Sequence, residues 1–150
     1  MIYLGADHRG YKLKEKIKKW FEEWGEAYKD LGAMTYNSED DYSDFGIAVG
    51  EAVAKDKGSL GIVGCGSGIG ISVAVNKVKG ARAAVVFNED GAFHARNSDE
   101  LNVLSLPVDY LSESQAKKVV EIFLKTKFSG EKRHKRRIGK IQRYEIRDKR

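Results

Sequence analysis

Leu60-Gly61-Ile62-Val63-Gly64-Cys65-Gly66-Ser67-Gly68-Ile69-Gly70-Ile71-Ser72-Val73-Ala74-Val75 is the stretch that decides how this chain folds. Its first four residues are short and apolar throughout, as a strand buried on both faces of a parallel sheet requires. Glycines then recur at alternate positions before the chain runs on into a second apolar segment, read as a helix. A strand-to-helix turn needs one or two glycines, not four. Alternating glycines let the backbone take positive φ and leave no side chains between its N–H groups and a ligand. Followed by a helix, such a loop aims several donors and a helix N-terminus at one point, which suits an anion. The loop is neither standard nucleotide fingerprint. Ile69 and Ile71 stand where G-x-G-x-x-G needs a glycine, and the Gly-Lys-Ser/Thr of a Walker loop is missing.

Working outward, similar apolar runs occur at Ile2-Tyr3-Leu4, Ala83-Ala84-Val85-Val86-Phe87 and Val103-Leu104-Ser105-Leu106, with a weaker one across residues 27–31. Helical patterns separate them. Leu13, Ile17, Trp20, Phe21 and Trp24 line one face of a helix that Gly25 ends. Phe45, Val49, Ala52 and Val53 form a second stripe, closed near Gly58. Ala116, Val119, Val120, Phe123 and Leu124 form another, opened by Ser112. Strand–helix alternation at this pitch predicts right-handed crossovers and helices on both faces of the sheet. The expectation is one doubly wound α/β domain spanning residues 1–150, with a C-terminal helical extension. In such a sheet ligands bind at the C-terminal strand ends, near the point where strand order reverses.

Composition narrows the function classes. The 150 residues are 41% hydrophobic and 10% aromatic, which excludes a disordered chain. No apolar run reaches a membrane span, and the first residues lack the layout of a signal peptide. A single cysteine excludes an intramolecular disulfide and a cysteine-rich zinc site, and fits a reducing cytoplasm. The net charge of +5 is unevenly placed. Residues 131–150 hold 10 Lys and Arg against 3 Asp and Glu, a balance of +7, so the rest of the chain is mildly acidic. That tail resembles a nucleic-acid stripe, but Tyr144 alone interrupts it as an aromatic, so no nucleic-acid partner is expected. Arg133 and Arg137 differ from the other tail charges. They are spaced i, i+4, on one helix face, and can grip one phosphate as a charge-assisted fork.

Inside the glycine loop, Cys65 and Ser67 are the catalytic candidates. N–H dipoles at the loop's first turn favour a thiolate at Cys65, and a thiolate beside an oxyanion hole equips either a nucleophile or a carbon-acid base. Gly66, Gly68, Gly70 and Ser72 are the candidate anion-binding positions. Asp7-His8 closes the first strand, where a histidine can move protons near neutral pH and Asp7 can fix its tautomer or bind a substrate hydroxyl.

These residues, taken in order, resemble the ribose-5-phosphate isomerase B and galactose-6-phosphate isomerase family. The match runs through Gly5-Ala6-Asp7-His8-Arg9-Gly10, Asp30-Leu31-Gly32, Asp41-Tyr42, the Cys65 loop, Asn76-Lys77, Asn102-Val103-Leu104 and Arg133-His134 through Arg137-Ile138. The resemblance implies a Rossmann-like three-layer α/β/α sandwich with a five-stranded parallel sheet. It implies aldose–ketose isomerisation of a sugar phosphate without metal or cofactor, in a homodimer or homotetramer with shared active sites. Cys65 then takes the role of the base that moves a proton between C1 and C2 through a cis-enediolate held by residues 66–70. Asp7 and Tyr42 fall near the sugar hydroxyls, His8 and the two arginines near the phosphate, and Asn102 anchors a loop.

The chain departs from that pattern at two positions. The family histidine assigned to ring opening is replaced by Ser98, and a phosphate-side arginine by Asp109. His94, one helical turn upstream, and Asp99 are the candidate substitutes for the first. Alternatives follow from the same gap: another pentose or hexose phosphate as substrate, a paralogous subunit that supplies the histidine, or a sugar-phosphate-binding protein without turnover.

Overall fold

The computed structural model describes residues 1–147, so Lys149 and Arg150, counted above with the basic tail, lie outside the described residues. Five strands form one parallel sheet: β1 (Ile2–Ala6), β2 (Tyr28–Asp30), β3 (Leu60–Cys65), β4 (Ala83–Val85) and β5 (Val103–Pro107). Their order across the sheet is β2-β1-β3-β5-β4. The chain winds outward from β1 in one direction, then returns to β3 and winds in the other, so the order reverses between β1 and β3. Ala6 pairs with Gly64 across that junction, which sets Asp7 and Cys65 at the same edge of adjacent strands.

Period-2 alternation sends successive side chains into two separate cores. Ile2, Leu4, Ile62, Leu104 and Leu106 pack against α1 (Tyr11–Trp24), α4 (Glu89–Asn97) and α5 (Glu113–Lys125). Val63, Cys65 and Val103 face the other way, onto α2 (Tyr42–Lys55) and α3 (Ile69–Asn76). The result is the three-layer sandwich expected from the sequence.

The boundary signals act as read. Gly25 ends α1 in the left-handed conformation, at φ 70°. Ser112 opens α5 in a full capping box with Gln115. The run beginning at Ala83 is shorter as a strand than its apolar length suggests. β4 is an edge strand with β5 as its partner, and it ends at Val85 because Asn88 caps α4 through the Gly91 N–H at 2.8 Å.

The sixth helix, α6 (Lys132–Arg147), buries His134 and Ile138 and leaves Ile141 exposed. Ser129 N–H bonds Asn97 O at the end of α4, and Glu145 accepts from Gly80 N–H just before β4. Both anchors lie at the N-terminal edge of the sheet. The helix therefore runs beneath the strands, away from the Cys65 loop. None of the described helices is long and apolar enough to cross a membrane.

Candidate active site

The glycine loop is held in shape from behind. Gly68 has φ 72°, a conformation that side chains with a Cβ rarely adopt, and its carbonyl accepts the Ser105 hydroxyl at 2.7 Å. Ser105 is fully buried on β5, so one hydroxyl pins the tightest turn of the loop to the core. Ser67 Oγ accepts the Ile69 N–H at 3.2 Å, and the Ser72 hydroxyl donates to Ile69 O at 2.7 Å. Both serines thus brace the start of α3. Cys65 is 4% exposed and closes β3 immediately before the loop.

Tyr42, the first residue of α2, lies against the loop. A Cβ placed on Gly70 would come 2.5 Å from Tyr42 Cζ, so only a glycine admits the ring there. The β1–α1 turn closes the other side. Asp7 N–H reaches Gly64 O at 3.4 Å. A side chain at Gly10 would strike the Gly64 carbonyl, so this turn is packed directly onto the end of β3.

Asp7 is not the partner of His8. Its Oδ1 accepts the N–H groups of Arg9 and Gly10 at 3.0 and 3.1 Å, closing its own turn. Burial pushes the Asp7 carboxyl up from its ordinary range, and nearby Asp40 adds to that, while the Gly10 and Arg9 N–H groups and His8 pull the other way. His8 is instead held by Asp40, from the loop between β2 and α2. One oxygen, Asp40 Oδ1, receives the His8 backbone N–H at 3.0 Å and lies 2.7 Å from His8 Nδ1. A carboxylate there selects the Nδ1–H tautomer and turns Nε2 outward. The other oxygen, Asp40 Oδ2, is buried without a hydrogen-bond partner.

Asp7, His8 and Asp40 place one donor atom each within 4.8 Å of one another, the spacing a cation would need. Their nearest atoms are already engaged, Asp7 Oδ1 by N–H groups and His8 Nδ1 by Asp40. The arrangement is that of an oriented histidine.

The structure therefore gathers Cys65, Gly66, Ser67, Gly68, Gly70, Ser72, Asp7, His8 and Tyr42 at one edge of the sheet. It does not bring His94, Asp99, Arg133 or Arg137 there. His94 is an exposed residue of α4 whose polar partners are Ser98, at 3.4 Å, and Asp90, at 3.6 Å. Asp99 precedes β5, and Arg133 lies in the first turn of α6, with Glu131 at 2.9 Å. The length of β3, on the order of 15 Å, separates this lower edge from Cys65. Asn102 anchors a loop as expected, donating to Gly80 O at 2.8 Å and accepting Arg82 N–H at 2.7 Å.

A family model described as Ribose/Galactose Isomerase matches residues 2–141. The chain belongs to this family. Among relatives of the ribose/galactose isomerase family, a probable ribose-5-phosphate isomerase B of Mycoplasma genitalium is 42% identical over 96% of this chain and 95% of its own length. The ribose-5-phosphate isomerase B of Mycobacterium tuberculosis is 39% identical over 96% of this chain and 89% of its own. A crystal structure of the Mycoplasma genitalium enzyme with bound ribulose-5-phosphate superimposes with a TM-score of 0.92 at 43% identity, covering 97% of this chain and 95% of that one. The Clostridium thermocellum ribose-5-phosphate isomerase B gives 0.93 at 40% identity, covering 97% of each chain.

Sequence reasoning missed three residues of this site. Asp40 precedes the Asp41-Tyr42 motif without a pattern of its own. Ser105 reads as one more strand residue. Arg9 sits next to His8 without a pattern to mark it.

Proposed function

We propose that this chain interconverts ribose 5-phosphate and ribulose 5-phosphate, with Cys65 as the proton-transferring base. The observation that carries the reading is Cys65 placed directly before a pinned glycine loop, at the strand junction where Asp7 and an oriented His8 converge. The kinship with ribose-5-phosphate isomerase B proteins, one of them described with bound ribulose-5-phosphate, supports the same substrate.

In this mechanism the Cys65 thiolate removes the C2 proton of the open-chain aldose. The electron pair of that C–H bond forms the C1–C2 double bond, and the C1 carbonyl becomes an oxyanion. Loop N–H groups of residues 66–70 hold the negative oxygen of the resulting enediolate. The C2 hydroxyl proton passes to the C1 oxygen, the Cys65 thiol returns its own proton to C1, and the ketone forms at C2. No electrons enter or leave, so the step needs no redox partner. Tyr42 and Asp7 are placed to touch sugar hydroxyls, and His8 Nε2 to meet the substrate from the side opposite Asp40.

Arg133, Arg137, Asp99 and His94 enter this reading through a second copy of the chain. They belong to the lower half of the molecule, and a site that uses them must borrow them from another subunit. A homodimer with two shared sites satisfies that need, with the partner's arginines as phosphate ligands.

Incubating the purified protein with ribose 5-phosphate and following ribulose 5-phosphate tests the activity. Cys65→Ala is expected to lower kcat by about a thousandfold or more while leaving stabilisation by the sugar phosphate intact. Full turnover by that variant sinks the mechanism. A six-carbon sugar phosphate is the second reading, favoured by Ser98 in place of the expected ring-opening histidine. A panel of pentose and hexose phosphates decides between them.

A further inference from the structure

The turn that carries Asp7 and His8 also carries Arg9, which has no role in the mechanism above. The Arg9 N–H is fixed by Asp7 Oδ1 at 3.0 Å, so the turn that sets Asp7 also sets where the arginine starts. Its guanidinium reaches Asp109, just past the end of β5, where Nη2 donates to Oδ2. Asp109 is itself docked on the glycine loop, its N–H donating to Gly66 O at 2.9 Å.

The pair lies on Gly66 itself. A Cβ at Gly66 would sit 2.6 Å from Arg9 Nε and 2.9 Å from Asp109 Oδ2. A cation is therefore held on the residue that follows Cys65, at the first peptide of the loop. The two side chains are 55% and 42% exposed, so the guanidinium is open to an arriving ligand, and an ion pair this exposed holds its members only weakly. A guanidinium offers five N–H donors in a rigid fork. One carboxylate oxygen leaves most of them for a second anion.

We propose that Arg9 is the phosphate-binding and specificity residue that this chain supplies to its own glycine loop, with Asp109 as the positioning residue that holds the guanidinium over Gly66. The identity of the ligand as a sugar phosphate rests on the isomerase reading. The charge argument is independent of it. Arg133 and Arg137 of the same chain sit at the far edge of the sheet. Among the described residues, Arg9 is the guanidinium that touches the loop.

Asp109 alone would repel a phosphate. Beside Arg9 its charge is offset, and the fork is aimed. The pair acts as a unit in which a phosphate shares or displaces the carboxylate.

The experiment uses the full chain and two probes, inorganic phosphate and ribose 5-phosphate. Phosphate affinity is measured by calorimetry, and KM and kcat by isomerisation, for wild type, Arg9→Ala, Arg9→Lys, Asp109→Asn and the Arg9→Ala/Asp109→Asn double variant. Arg9→Ala is expected to weaken phosphate binding and raise KM by about tenfold or more, with kcat changed much less. Arg9→Lys restores part of the loss, because a point charge lacks the fork. Asp109→Asn gives a smaller rise in KM, and the double variant is no worse than Arg9→Ala. Unchanged phosphate affinity and KM in Arg9→Ala overturn the assignment, even if wild type isomerises ribose 5-phosphate. A double variant clearly worse than Arg9→Ala overturns the positioning role of Asp109. If wild type turns over no sugar phosphate yet binds inorganic phosphate in an Arg9-dependent way, the isomerase reading falls and Arg9 stands as an anion ligand.

Discussion

Asp40 Oδ1 holds His8 twice, through the backbone N–H at 3.0 Å and the ring Nδ1 at 2.7 Å, across 32 residues of sequence. Removing it frees both the ring's rotation and its choice of tautomer. Asp40→Ala is expected to lower kcat/KM for ribose 5-phosphate by about tenfold, equivalent to ~1.4 kcal/mol of transition-state stabilisation. Asp40→Asn keeps an acceptor for the His8 N–H groups and should recover part of the loss, which a merely local loosening of the loop would not predict. Wild-type kcat/KM in Asp40→Ala rejects the role of Asp40.

Ser105 stabilises the glycine loop from inside the core. Ser105→Ala removes that bond and leaves the Gly68 carbonyl with the Ser72 N–H at 3.3 Å as its remaining donor, at a cost of about 0.5–1.5 kcal/mol. Thermal unfolding should show this loss, and activity should fall by more than the folded fraction explains. Wild-type stability in Ser105→Ala contradicts the bracing argument.

Gly70→Ala places a methyl where the Tyr42 ring now lies. Tyr42 is 44% exposed, so its ring can swing outward and the fold survives. The expected result is a near-normal Tm with KM raised severalfold. An unchanged KM means that Tyr42 does not contact substrate.

Burial holds the folded-state pKa of Asp7 above its unfolded value. Between those two values the folded protein keeps a proton that the unfolded chain has lost, so stability falls as pH rises through that window. Asp7→Asn retains the acceptor for Arg9 and Gly10 and carries no charge. Its Tm is expected to exceed that of wild type at neutral pH, the difference shrinking as pH drops towards about 4. A difference that stays constant over this range removes Asp7 as its source.

A shared site predicts complementation between two inactive proteins. Cys65→Ala and Arg133→Ala/Arg137→Ala subunits, unfolded and refolded together, form some mixed dimers with one intact site. Random mixing of a two-fold dimer restores about a quarter of wild-type activity. If the mixture stays as inactive as its components, the arginines do not serve a partner's Cys65.

The architecture was legible because it is written in local patterns. Apolar runs at residues 2–4, 60–63 and 103–106 show buried strands by their own composition. The stripe from Leu13 to Trp24, stopped by Gly25, gives α1 by periodicity. The loop after β3 also declares itself, since four alternating glycines are costly unless their backbone is needed. Residue chemistry and spacing marked Asp7, His8 and the two tail arginines as candidates, and family motifs in sequence order added Tyr42.

Partnership across the fold was not legible, because it depends on which strand ends become neighbours. The partner of His8 is Asp40 and not the adjacent Asp7, since Asp7 turns back to close its own loop. Asp109 reads in the sequence as the loss of a phosphate arginine, yet in the fold it aims Arg9 from 100 residues away. Conversely, Cys65 and Arg137 read as members of one site, and parallel strands of fixed length hold them at opposite edges of one chain. Fold, family and the glycine loop can be read from residue order, because they rest on local periodicity and motif. Which charges meet follows from strand order and register, because these, and not sequence distance, place side chains next to one another.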